Sequence, residues 1–189
     1  MKPTLKKSLL VSLIVVAGVA LDQLVKLYIL SHFRLYDDLQ VTNWFHICYI
    51  LNNGMAFGLE WMPKIALTLF RLIAVALLGW YTHTLIRRPE TPVGYIITIA
   101  FIMAGALGNI VDCVCYGKLF QGGEWMYGKV VEMFYFPLWT WPDWLPFLGG
   151  QVFFRPVFNV ADSYITCAVI IIILFFTKDL NASFEKEAN

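Results

Sequence analysis

Asp162 opens the last apolar run of the chain, inside Phe158-Asn159-Val160-Ala161-Asp162-Ser163-Tyr164-Ile165. Two readings of it are open on that stretch alone. An Asp at a helix start can accept hydrogen bonds from free N–H groups and meet the positive end of the helix dipole. A carboxylate at the mouth of a membrane-spanning helix is also expensive enough to be kept for chemistry. Other polar residues stand in apolar surroundings as well. Asp22 and Lys26 are four apart and share one helix face, where they can pair or snorkel outward. Asn109 and Asp112, three apart, project from one face of another apolar run, while Arg71 interrupts a third, where it can snorkel to the surface or support a site by reaching a bound anionic group. Asn52, in Leu51-Asn52-Asn53-Gly54, offers a donor and an acceptor, and Glu132 lies in the strand-like Lys129-Val130-Val131-Glu132-Met133-Phe134. Carboxylates and amides without metal-ligand spacing, a nucleophile triad or a cofactor motif favour a carboxylate pair acting on water. Two acids side by side cannot both ionise cheaply, so one can take a proton from water while the other protonates a carbonyl.

The elements that must position these groups follow from composition. With 59% hydrophobic residues in 189 and a mean hydropathy of +0.67, the chain carries more apolar surface than a soluble core of that size could hide. The fold class expected is an α-helical integral membrane protein in one domain. It has four transmembrane helices near residues 8–30, 64–86, 93–115 and 159–177, a small β-rich extracytoplasmic cap and a long interfacial loop. The extracytoplasmic segments are 31–63 and 116–158, the second with Trp125, Trp139, Trp141 and Trp144 at headgroup level. Residues 179–189 read as a polar, unstructured cytoplasmic tail. A net charge of +1 excludes the basic field that nucleic-acid binding requires. Cys48, Cys113, Cys115 and Cys167 read as small buried hydrophobes, with neither a disulfide framework nor zinc spacing.

Lys2, Lys6, Lys7, Arg87, Arg88 and Lys178 fall on one side of a four-span chain, so both termini are expected in the cytoplasm. At a rise of about 1.5 Å per residue, Asp22, Asp112 and Asp162 lie roughly 21, 28 and 24 Å from the cytoplasmic ends of their spans. That is the outer third of a hydrocarbon core about 30 Å thick. Asn52 and Glu132 enter from the outer loops at the same boundary, and this coincidence of depth favours a polar site near the outer leaflet.

Four motifs occur in order: Asp22-Gln23-x-x-Lys26, Asn52-x-Gly54-x-Ala56-Phe57, Gly105-Ala106-x-Gly108-Asn109-x-x-Asp112 and Phe158-Asn159-x-Ala161-Asp162. In this the chain resembles the bacterial signal peptidase II family, the lipoprotein signal peptidases. The resemblance implies an aspartic peptidase of the bacterial inner membrane, without cofactor or metal. Such an enzyme removes the signal peptide from prolipoproteins before a diacylglyceryl-modified cysteine and is inhibited by globomycin-like cyclic peptides. Its partners would be lipid-modified prolipoprotein signal peptides and membrane lipids. By the same resemblance Asp162 is catalytic, Asn52, Asn109 and Asn159 hold the substrate backbone and catalytic groups, Asp112 orders the third span, and Asp22 and Lys26 support it.

The chain departs from the family at three places. Glu132 stands where the family's second catalytic residue is Asp and by that motif position is expected to form the catalytic dyad with Asp162. A displacement of about 1 Å can cost on the order of a hundredfold in rate, so restoring Asp is expected to raise cleavage. Cys113 occupies a position where many relatives have Arg. Segments 113–129 and 137–156 look inserted. The competing readings are a noncatalytic lipid-peptide-binding homologue, suggested by Glu132, and a small transporter, disfavoured by the nearly uncharged inner halves of the spans.

Overall fold

The structure, a computed structural model, describes residues 3–53 and 63–185, with side chains described as far as Ser183. The Gly54-x-Ala56-Phe57 part of the second motif lies outside the described residues. Helix α1 (Pro3–His32) is followed by strands β1 (Asp38–Thr42) and β2 (Phe45–Asn52), then helices α2 (Lys64–Arg87) and α3 (Val93–Val111). A π turn (Asp112–Tyr116) and the short α4 (Gly117–Phe120) prolong α3, and the chain continues through β3 (Val130–Tyr135), β4 (Trp139–Thr140), β5 (Val152–Phe153) and β6 (Val157–Phe158). Helices α5 (Val160–Phe175) and α6 (Thr177–Glu185) end it.

Three helical stretches are long and apolar enough to cross a membrane: Pro3–His32, Lys64–Arg87 and Val93–Phe120. Helix α5 with α6, bent by 90°, makes a fourth candidate. The molecule is thus a mostly helical membrane protein carrying a small antiparallel sheet. Much of α1, α2 and α5 exposes Leu, Ile, Val and Phe, as a bilayer rather than water requires. Helix α3 is the buried exception. It packs against α1 and α5 through small residues: a Cβ on Gly105 would collide with the Ala161 carbonyl oxygen, and one on Gly108 would lie 2.6 Å from Asp22 Oδ2. The backbones meet at these points because nothing projects between them.

The four-stranded sheet has the order β1-β2-β3-β6, and β4 and β5 form a separate hairpin. Its decisive pairing is the shortest. Phe134 and Tyr135 of β3 face Phe158 and Val157 of β6, and β6 runs directly into α5. Glu132, two residues before Phe134, is therefore carried toward Asp162, four residues after Phe158. Helix α3 meets the sheet through its π turn, whose carbonyls at Cys113 and Val114 accept the N–H groups of Gly128 and Met126, both at 2.9 Å. A π turn leaves carbonyls free in this way, and the loop before β3 is pinned by them.

The tail corrects the sequence reading. Residues 177–185 are helical, and Leu180 packs on the cluster formed by Val11, Leu85, Ile86, Tyr95, Ile96, Ile99, Ala100 and Ile172. Ser183 is buried against Tyr81, whose hydroxyl lies 2.7 Å from Ser183 Oγ and 2.6 Å from the Tyr95 hydroxyl. Polarity hid this helix because only one narrow face is apolar, which suffices when the preceding span turns through a right angle.

Candidate active site

The first helix supplies the foundation. Lys26 is fully buried, and its three ammonium hydrogens find three acceptors: Asp22 Oδ2 at 2.8 Å, Asp112 Oδ2 at 2.9 Å and Asn109 Oδ1 at 3.0 Å. It does not snorkel, so that alternative reading of the Asp22–Lys26 pair falls. Helix spacing places the pair on one face, and Gly108 opens the room beside Asp22. The partner of Asp112 is thus a lysine from another helix.

Both aspartates then act on backbone. Asp22 Oδ1 accepts the N–H of Ala161 at 2.9 Å, in the first turn of α5, and Asp112 Oδ2 accepts the N–H of Val131 at 3.0 Å, next to Glu132. Gln23, named in the sequence without a role, donates to Asp22 Oδ2 at 3.0 Å, Gly108 O at 3.1 Å and Asp112 Oδ1 at 3.1 Å. It accepts from the Tyr116 hydroxyl at 2.9 Å. Tyr116 carried no signal in the sequence, where it reads only as the first residue of the outer segment 116–158. Among the described residues no buried side-chain nitrogen or oxygen lacks a partner, as a buried ionic network must achieve to hold its shape.

Asn109 stands on this base, and its orientation is determined by its neighbours. Its Oδ1 takes the Lys26 and Asn159 donors, at 3.0 Å each, so its Nδ2 must point the other way, donating to Asp162 Oδ1 at 2.8 Å. Asn159 is the N-cap of α5. Its Oδ1 accepts from the Asp162 N–H at 2.9 Å, its own N–H donates to Asp162 Oδ2 at 3.3 Å, and its Nδ2 also reaches Val131 O at 3.2 Å. This capping box gives Asp162 the helix-start role that the sequence allowed, with one carboxylate oxygen on the Asn159 N–H and the other on Asn109. The cap is Asn159, and Asp162 is the third helical residue.

Glu132 approaches from β3. It is 8% exposed, and Asn52, at the end of β2, donates to its Oε1 at 2.7 Å. Burial pushes its carboxyl up to about 7, and the Asp162 charge adds to the rise, while the Asn52 hydrogen bond and the Lys26 charge oppose it. A carboxyl at that value beside a second carboxyl can hold or release a proton near neutrality.

The structure therefore gathers Asp22, Lys26, Asn52, Asn109, Asp112, Glu132, Asn159 and Asp162 into one network. Arg71 falls in a neighbouring cluster. Its guanidinium lies 3.1 Å from Cys113 Sγ, and Lys64 Nζ lies 3.6 Å from the same sulfur and donates to Asn53 O at 2.8 Å. Lys64 went unnoticed in the sequence because a lysine at the start of a span reads as a boundary marker. Among the described residues no group of His, Cys, Asp and Glu is arranged to hold a metal ion.

Known proteins bear on this arrangement. Residues 14–178 match the sequence family described as signal peptidase (SPase) II. Lipoprotein signal peptidases of Porphyromonas gingivalis are 35% identical over 190 residues, covering 90% of this chain and 84% of the relative. That of Amoebophilus asiaticus is 34% identical, covering 85% and 75%. A solved structure titled as a bacterial membrane enzyme, determined by the in meso method at 1.9 Å, superposes with a TM-score of 0.66 at 27% identity, covering 89% of this chain and 93% of that one.

Proposed function

The chain belongs to the signal peptidase II family, and on that premise we propose that it is an aspartic endopeptidase of the bacterial inner membrane. It removes the signal peptide from diacylglyceryl-modified prolipoproteins, cutting immediately before the lipidated cysteine. Both termini lie in the cytoplasm, the site lies near the outer leaflet, and a globomycin-like cyclic peptide competes with the substrate.

The observation that carries the reading is the convergence of two carboxyls on separate elements, each held by an asparagine: Glu132 by Asn52 at 2.7 Å and Asp162 by Asn109 at 2.8 Å. Glu132, pushed up to about 7, holds the shared proton in the resting pair, and Asp162 faces the water as base. Asp162 takes a proton as the water oxygen attacks the scissile carbonyl, and Glu132 gives its proton to the carbonyl oxygen. The tetrahedral diol collapses as the proton on Asp162 passes to the leaving nitrogen and Glu132 recovers one from the diol. No covalent acyl-enzyme forms, and the pair returns to its starting state.

The test is cleavage of a synthetic diacylglyceryl prolipoprotein by the purified full-length protein. Asp162→Asn is expected to lower kcat by at least about a thousandfold while the substrate still binds. Binding without cleavage by the unaltered chain would instead establish a noncatalytic homologue.

A further inference from the structure

One face of the sheet carries an aromatic shelf that the reaction leaves unused. Strand alternation puts Glu132 and Phe134 on the same side of β3, which is regular there, the extra residue of the bulge lying on β2 between Ile47 and Ile50. Phe136, just past the end of the strand, joins Phe134 against Phe158. Phe136 stacks on Phe158 with centroids 5.6 Å apart and on Phe45 at 4.9 Å, Phe134 meets Phe158 edge-on at 6.0 Å, and Trp44 stacks on Phe136 at 6.1 Å. The four phenylalanines are half-buried and Trp44 is exposed. Contiguous apolar surface of this kind, beginning beside a reactive group, marks a binding face.

We propose that this shelf seats the diacylglyceryl group of the substrate's modified cysteine, an inference that rests on the peptidase reading above. Its position fits that occupant. The lipidated residue directly follows the scissile bond, so its thioether lies within one residue of the carbonyl held at Glu132 and Asp162. Phe134 begins the shelf two residues along β3, about 7 Å away, within reach of a glycerol and its first methylenes. A peptide strand fits less well, because the rung it would need beside Glu132 is already taken. The Val131 N–H goes to Asp112 and its carbonyl to Asn159. At that rung the rings rather than the main chain are left to meet the substrate, which suits acyl chains.

The experiment compares two lipobox peptides, one with S-dipalmitoylglyceryl cysteine and one with S-dibutyrylglyceryl cysteine, on full-length protein in phosphatidylethanolamine/phosphatidylglycerol nanodiscs. In Phe136→Ala and Phe45→Ala the ratio of the KM for the long-chain to that for the short-chain substrate is expected to rise roughly fivefold over the unaltered protein, with Phe136→Leu staying within about twofold. An unchanged ratio, including a uniform loss of activity on both substrates, overturns the assignment. A second arm needs no shelf variant. A dipalmitoyl peptide bearing a diazirine in its acyl chain, photolysed on Asp162→Asn protein, is expected to label the peptides containing Phe45 and Phe136 in preference to a diazirine phosphatidylcholine. Labelling confined to α1, α2, α3 and α5, or equal labelling by the phospholipid, overturns it. Failure of the unaltered protein to cleave either peptide defeats the peptidase reading instead, and the labelling arm still decides whether the shelf takes lipid.

Discussion

At the residue scale the telling substitution is Glu132. Read from the sequence, the extra methylene is a defect and Asp is its cure. The site, however, is built to the longer side chain: Asn52 meets Oε1 at 2.7 Å, and a carboxyl withdrawn by about one bond length would lose that donor. Glu132→Asp is therefore expected to lower kcat/KM by about a hundredfold rather than raise it, and steady-state kinetics on a diacylglyceryl peptide decide the sign. The proton on Glu132 sets a second expectation. Its carboxyl is raised to about 7, so the protonated form, the acid of the proposed mechanism, is lost as pH rises through that value. Above about 7 the free-enzyme profile of kcat/KM should fall by about tenfold per pH unit. An alkaline limb displaced well above that range would assign the proton to another group.

At the element scale the site depends on how closely α3, α1 and α5 approach. The carboxylate of Asp22 reaches the Ala161 N–H only because Gly108 leaves room for it, and Gly105 lets the Ala161 carbonyl lie against α3. Gly105→Ala is an overpacking change against backbone, which cannot rotate aside, so it is expected to cost about 1–3 kcal/mol and lower Tm by several degrees. Because the displaced helix carries Asp162, kcat should fall with stability. A variant with native Tm and full turnover would show that α5 is not held at this point. Such small-residue contacts were legible in Gly105-Ala106-x-Gly108 as packing, but not as the seat of a carboxylate, because the partner that needs the space lies on another helix. The register that joins Glu132 to Asp162 was not legible either. Strand β6 is two residues long and carries no periodicity of its own.

At the scale of the whole molecule, the fold class was readable because bilayer crossing imposes length and hydropathy on sequence directly. The identities of the network's members were half readable. Asp22, Gln23, Lys26, Asn109 and Asp112 announce themselves by being costly in apolar surroundings, whereas Tyr116 does not. The proposed sidedness is testable. Lys6, Lys7, Arg87, Arg88 and Lys178 stand at the end of the bundle that includes α6, opposite the sheet, so under the positive-inside rule the proposal has the sheet on the outer side of the membrane and α6 on the cytoplasmic side. Single cysteines at Trp44 and Asn181 distinguish the two faces in a background with Cys115 and Cys167 replaced by Ala. Of the native thiols that stay, Cys113 is fully buried, and burial pushes Cys48 up to about 11, with Asp38 adding to the rise, which leaves it protonated and slow to react. Trp44→Cys in intact spheroplasts should be labelled by a membrane-impermeant maleimide, and Asn181→Cys only after the membrane is opened. The reverse pattern would put the carboxylate pair on the cytoplasmic side, out of reach of an exported prolipoprotein.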